Sequence, residues 1–218
     1  MIANPILQVL VPLVDDLSRE LPDSERYRRL LEAMRALLPC DAVALLRLDG
    51  DWLLPLAVNG LSRDTLGRRF KIDEHPRFGL LLDAGGPLRI AADSALPDPY
   101  DGLVEGFHGQ LEVHDCMGCP VQVGEKPWGL LTLDALASER LSQINLQDLQ
   151  AFASLAAATV SVAQRIEGLS LRAEDERRRA DIFSTLMAEK STPPALIGQS
   201  PAHLRLLEEI AIAGNSAL

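Results

Sequence analysis

The sequence predicts an α+β fold, a central antiparallel sheet flanked by helices and followed by a long C-terminal helix. Three observations carry this. Along the 218 residues the patterns run helix, strand, strand, helix, strand, strand, strand, long helix. Strand pairs are separated by short turn sequences, Asp49-Gly50-Asp51 and Gly124-Glu125-Lys126-Pro127, which suit antiparallel neighbours. Apolar residues make up 47% of the chain, enough to bury a core and to exclude a disordered protein. The length fits one domain of ordinary size with an appendage.

Residues 5 to 20 alternate apolar and polar groups at helical spacing. Ser24 reads as the N-cap of a second helix with the stripe Tyr27, Leu30, Leu31, Met34, Leu37 and Leu38, and Pro39 stops it. Asp41 to Leu48 and Trp52 to Val58 form a hairpin. A basic loop follows, then a short helix from about His75 to Asp83 closed by Gly85-Gly86, and a strand at Leu88 to Ala91. Asp93 to Gly109 is irregular, with Pro97, Pro99, Gly102, Gly106 and Gly109. A loop of that length inside a compact domain is more often functional than accidental. Two strands follow, near Val113 to Val123 and Trp128 to Ala135. From about Ile144 to Glu189 the pattern is helical, with Leu149, Phe152, Leu155, Thr159, Val162, Ile166 and Leu169 recurring at three and four. So long a helix is expected to pair along its distal half. Ser191-Thr192-Pro193-Pro194 reads as a linker, and Ala195 to Leu218 as the start of another unit.

Charge and composition exclude several functions. With 21 basic and 31 acidic residues the net charge is −10, which argues against contact with nucleic acid. The basic stretch is short: Arg63, Arg68, Arg69 and Lys71. Aromatics are 4%, too few for a base-stacking platform. The most apolar run, Ala151 to Ala163, is too short to span a membrane, and the apolar N-terminus lacks the basic start of a secretory signal. Three cysteines without such a signal point to a reducing cytoplasm and to free or metal-bound thiols.

A few residues could carry chemistry. Asp98-Pro99-Tyr100-Asp101 has turn chemistry, with first and fourth Cα atoms within about 7 Å. Two carboxylates could converge there on one ion, or the turn could face solvent and bond its own backbone. His114 and Cys116, two apart in a strand, share a face: a metal pair, a nucleophile with its base, or core residues. Asp134 closes the apolar strand Gly129-Leu130-Leu131-Thr132-Leu133 and needs metal, arginine or solvent. Cys119 completes a C-x-x-C with Cys116 but faces the other way if the strand is regular. A single such pair is at best half a zinc site. Cys40 reads as core, and His75 as the entry to the short helix.

Taken together, these residues resemble the sensory domain of the NorR family, bacterial nitric-oxide-responsive activators that work with sigma-54 RNA polymerase. The resemblance rests on Cys40-Asp41, Gly60-Leu61, Leu66-Gly67-Arg68-Arg69-Phe70, His75-Pro76-Arg77, Ala92-Asp93-Ser94, Leu96-Pro97-Asp98-Pro99-Tyr100-Asp101-Gly102-Leu103, Val113-His114 with Cys116, and Leu133-Asp134. It implies a GAF fold holding one mononuclear non-haem ferrous iron that binds nitric oxide. The implied ligands are Asp98, Asp101, His114, Cys116 and Asp134. Arg77 is implied near the iron, and Tyr100 lies between two ligands. Cys119 stands where an apolar residue is familiar in the family. The implied organisation is a sensory domain over 1–167, a helical linker over 168–194 and the first part of an AAA+ ATPase domain over 195–218, with Leu196 to Pro201 as its opening. The sensor would restrain that ATPase until nitric oxide binds. A homodimer through the long helix is expected, with no direct nucleic acid or membrane contact by this chain and no catalysis of its own.

The implied ligand set is chemically coherent. Three carboxylates, an imidazole and a thiolate leave one octahedral position open and suit Fe(II) better than a closed structural zinc site. Three carboxylates and a thiolate carry a surplus of negative charge over one ferrous ion, which a guanidinium such as Arg77 would offset. Three other readings compete: a GAF module binding an organic effector without metal, a cysteine-dependent reductase of free methionine sulfoxide using Cys116 and Cys119, and a pure dimerisation module, which would leave the irregular 93–109 loop unexplained.

Overall fold

The computed structural model describes residues 5–91, 93–104, 115–137, 140–191 and 198–215. They fall into two compact units, Met1–Glu167 and Gly168–Leu218. The first holds α1 (Pro5–Asp16), α2 (Asp23–Leu37), β1 (Ala42–Asp49), β2 (Trp52–Asn59), β3 (Phe70–Lys71), α3 (Pro76–Asp83), β4 (Leu88–Ile90), β5 (Asp115–Val123), β6 (Lys126–Ala135) and the start of α4 (Leu146–Ser191). The second holds the rest of α4 and α5 (Pro201–Asn215).

The strands form one sheet in the order β3-β2-β1-β6-β5-β4, every pair antiparallel. This is the α+β architecture expected from the sequence. Residues Ala42 to Leu46 of β1 are all buried, because the sheet is covered on both sides. On one side Val43, Leu45, Met117, Cys119, Val121, Leu131 and Leu133 pack with Leu30, Leu31 and Met34 of α2 and Leu149, Phe152 and Ala156 of α4. On the other, Ala42, Ala44, Leu46, Cys116 and Leu130 pack with Phe78 and Leu81 of α3 and with Phe70, Tyr100 and Leu103. Strand alternation divides β5 between these two cores, and it places Cys116 and Cys119 on opposite faces.

Two local expectations change. Ser24 is not the cap of α2. Pro22 occupies the N-cap position, and its carbonyl accepts hydrogen bonds from the Glu25 and Arg26 amides at 3.0 and 3.1 Å. A proline there needs no partner for an N–H and presets its own φ. The Leu38 backbone, ahead of Pro39, turns extended and ends the helix. The basic loop contains a 3₁₀ turn (Arg63–Gly67) and the edge strand β3, whose two residues pair with Trp52 and Leu53. Two residues are too few to leave a periodic signal. The expected strand start at Val113 lies outside the described residues.

Register between β5 and β6 decides which side chains meet across the sheet. The two strands join at a tight turn, Gly124 having φ +69°, with Val123 opposite Lys126. A bulge between Val121 and Gln122 shifts the register, so that Cys116 faces Asp134. Gly129 lies in β6 between β1 and β5, and a Cβ there would sit 2.1 Å from the Leu46 carbonyl oxygen. Gly129→Ala is therefore expected to cost about 2–4 kcal/mol in urea unfolding. Gly67→Ala, where a Cβ meets nothing within 4 Å, should change stability by less than about 1 kcal/mol.

Candidate metal centre

Directly opposed residues of antiparallel strands point to the same face. Cys116 of β5 and Asp134 of β6 are such a pair, on the sheet face turned toward α3. The third member comes from the loop after β4. At Asp98 the chain turns, the Asp101 amide donating to the Asp98 carbonyl at 3.3 Å and the Tyr100 amide to Asp98 Oδ1 at 2.9 Å. This local bond, available to an aspartate opening a turn, aims the carboxylate inward. Ligand atoms of Asp98, Cys116 and Asp134 all lie within 4.8 Å of one another, and all three residues are buried.

Arg77, in the first turn of α3, fixes the loop. Its Nε donates to the Leu96 carbonyl at 2.9 Å, and its Nη1 donates to Asp98 Oδ2 at 2.6 Å. Both side chains of this ion pair are buried, at 4% and 2% exposure. Tyr100 is fully buried between Phe70 and Phe78, in edge-on contacts at 5.9 and 5.6 Å. Its hydroxyl pairs with that of Thr132 at 3.0 Å, two residues before Asp134 on the same face of β6. The site thus has an acidic floor and an aromatic wall.

Asp134 is the anomaly. Both of its carboxylate oxygens are buried, and neither has a hydrogen-bond partner of normal geometry among the described residues. Isolated burial of a carboxylate is among the most expensive arrangements in a protein. Burial, and then the charge on Asp98, push its pKa well above the usual carboxylate range. Cys116 is raised by burial and then by the charges of Asp134 and Asp98. Asp98 rises to about 6, because the desolvation of burial outweighs its bonds to the Tyr100 amide and Arg77. Three acids therefore share one buried space, and Arg77 can balance only one of them. A divalent cation would reverse all three shifts at once, since metal binding deprotonates its ligands. The donor set, two carboxylates and one thiol, fits a transition metal.

Of the residues expected from the sequence, the fold brings together Asp98, Cys116 and Asp134, with Arg77 and Tyr100 beside them. Asp101 is exposed and stands outside this trio, although its charge acts on Asp98. His114 lies outside the described residues. All three cysteines are free. Cys119 lies on the helix side, where its thiol approaches Gln150 of α4 at 3.7 Å, and Cys40 is in the core there. Sequence reasoning missed Thr132, whose signal was its spacing of two from Asp134, and the Phe70–Phe78 wall, which reads as ordinary core.

Residues 24–160 match the GAF domain family. The chain belongs to that family. Two solved GAF domains show the same fold. That of an Acinetobacter phosphoenolpyruvate-protein phosphotransferase superposes with a TM-score of 0.60 at 14% identity, over 77% of this chain and 99% of the other. That of the corresponding Coxiella burnetii protein gives 0.57 at 20%, over 75% and 96%. The resemblance to NorR extends along the sequence. Over 216 residues the chain is 38% identical to the anaerobic nitric oxide reductase transcription regulator NorR of Serratia proteamaculans, covering 97% of this chain and 41% of that protein. The chain thus spans about two fifths of that curated relative's length.

The raised carboxyls make a signed prediction for the metal-free GAF domain. The folded state holds protons that the unfolded chain releases near pH 4, so stability is lost as pH rises toward and through the folded pKa values. Between pH 5 and 7 the wild type should lose stability relative to Asp134→Asn, measured as the difference between their urea unfolding free energies. That difference removes the opposing contribution of His75, whose pKa burial lowers. A difference independent of pH would contradict the assignment.

Proposed function

We propose that this chain is the regulatory domain of a nitric-oxide-responsive transcription activator, and that it senses nitric oxide at a mononuclear non-haem ferrous iron. The observation that carries the reading is the pair of Asp134 oxygens, unpartnered among the described residues, beside Cys116 and Asp98. Resemblance to NorR supplies the signal, since the relative's name joins nitric oxide metabolism to transcription regulation.

Asp98, Cys116 and Asp134 would hold the metal, with Asp101 and His114 completing the set implied by the family resemblance. Ferrous iron has d-electrons to share with nitric oxide, which zinc does not offer. Arg77 holds Asp98 in place and offsets anionic charge. Tyr100, with Phe70 and Phe78, closes the space against water and admits a small, nearly apolar gas. Binding would bias the domain between a restraining and a permissive state, to the extent that nitric oxide prefers one of them.

The rest of the proposal concerns the longer protein. Residues 1–167 form the sensor, 168–194 a helical linker and 195–218 the opening of an AAA+ ATPase domain, whose sigma-54-dependent activity the sensor restrains. The long helix α4 exposes Ile166, Leu169, Phe183 and Met187, whose spacings of three, fourteen and four keep the register of a heptad seam, which suits a homodimer. No helix among the described residues is long and apolar enough to cross a membrane.

Anaerobic loading with Fe(II), followed by nitric oxide, tests the centre. We expect about one iron per chain and a stoichiometric high-spin EPR signal. Cys116→Ser and Asp134→Ala should abolish both, and Arg77→Ala should weaken iron binding by roughly 10–100-fold. A wild-type chain that retains no iron would overturn the reading.

A further inference from the structure

Each strand that carries a ligand is also fastened to the turn that opens the long helix. Asp115, the residue before Cys116, is fully buried and points to the opposite face of β5, the helix side. Its carboxylate accepts two hydrogen bonds from Arg89 of β4, at 3.0 and 2.9 Å, and a third from the Leu141 amide at 3.1 Å. Leu141 belongs to the 3₁₀ turn Arg140–Gln143, which precedes α4.

Asp41 does the same for the neighbouring strand. Its amide donates to the carbonyl of Asp134 itself, at 2.8 Å. Its carboxylate accepts from the Leu136 amide at 2.9 Å and from Arg140 Nη1 at 2.7 Å. Two carboxylates, each one peptide or one hydrogen bond from a ligand position, thus grip the same short connection between β6 and α4. Charge-assisted hydrogen bonds are short and directional, and paired strands in a close-packed core shift as units rather than stretch. A displacement of Cys116 or Asp134 would reach Leu136, Arg140 and Leu141 through these bonds.

We infer that Asp115 and Asp41 are the positioning residues that couple the centre to the start of α4, so that the seat of the signalling helix follows the positions of Cys116 and Asp134. This rests on the reading given under Proposed function. It assigns to these two aspartates a role that neither metal binding nor the hydrophobic core requires, since neither belongs to the buried acidic trio.

The two amides that the carboxylates accept from are themselves the reporters. In the iron-loaded wild type, nitric oxide should change amide hydrogen exchange at Leu136 and Leu141 by about tenfold or more. In Asp115→Asn and Asp41→Asn the iron content and the EPR signal should persist, while the exchange change at the segment 136–150 falls below about twofold. A purely structural role would lower thermal stability and leave the nitric-oxide-induced difference intact, which overturns the inference. So does a variant that folds but loses iron, because that makes its aspartate part of the site. Should Asp115→Asn not fold, Asp41→Asn and the wild-type measurement decide. A wild type that binds iron and nitric oxide with no exchange change at Leu136 and Leu141 overturns this inference alone. One that takes up no iron overturns the functional reading with it.

Discussion

The arrangement turns on a carboxylate that the fold buries with no hydrogen-bond partner among the described residues. Asp134 sits within a sheet covered on both faces, opposite a thiol and beside a second carboxylate. Solvation cannot reach it, and Arg77 is already committed to Asp98. A fold that keeps such a group must offset it in another way. Without metal the offset is a retained proton, at a cost that grows with pH. With a divalent cation the same burial becomes favourable, because the low-dielectric surroundings strengthen the attraction between ligands and ion.

This constraint explains why the two faces of the sheet are built so differently. Toward α3, aromatic rings pack around Tyr100 beside the Asp98 turn. Toward α2 and α4, aliphatic side chains make a conventional core. The strands β5 and β6 belong to both. Alternation along β5 sends Asp115 to one side and Cys116 to the other, so the acidic trio on one face and the bonds to Arg89 and Leu141 on the other are separated by a single peptide bond. A GAF fold of ordinary topology thereby places the buried acidic trio and the anchor of the turn before α4 on adjoining residues of β5.

Much of the fold was legible in the sequence. The helices, the two hairpins and the long α4 follow from apolar periodicity and turn residues, and the opposite facing of Cys116 and Cys119 follows from strand alternation. What was not legible depends on register and on long-range pairing. Whether Cys116 meets Asp134 or Leu133 is decided by the bulge between Val121 and Gln122, since a one-residue slip carries a side chain to the other face. No local pattern announces that bulge. The Arg77–Asp98 pair joins residues 21 apart, and Asp115 looks like any charged residue at a strand end until Arg89 and Leu141 are brought to it. Asp98, Asp134 and Cys116 could be singled out as candidates from turn chemistry, an acid closing an apolar strand, and spacing. Their convergence is a property of the folded sheet.

The most direct test of the account is the iron-edge X-ray absorption spectrum of the anaerobically loaded chain. The geometry requires a sulfur scatterer from Cys116 together with oxygen ligands at the iron of the wild type. An iron environment made only of oxygen and nitrogen in the wild type would contradict a centre built on Asp98, Cys116 and Asp134.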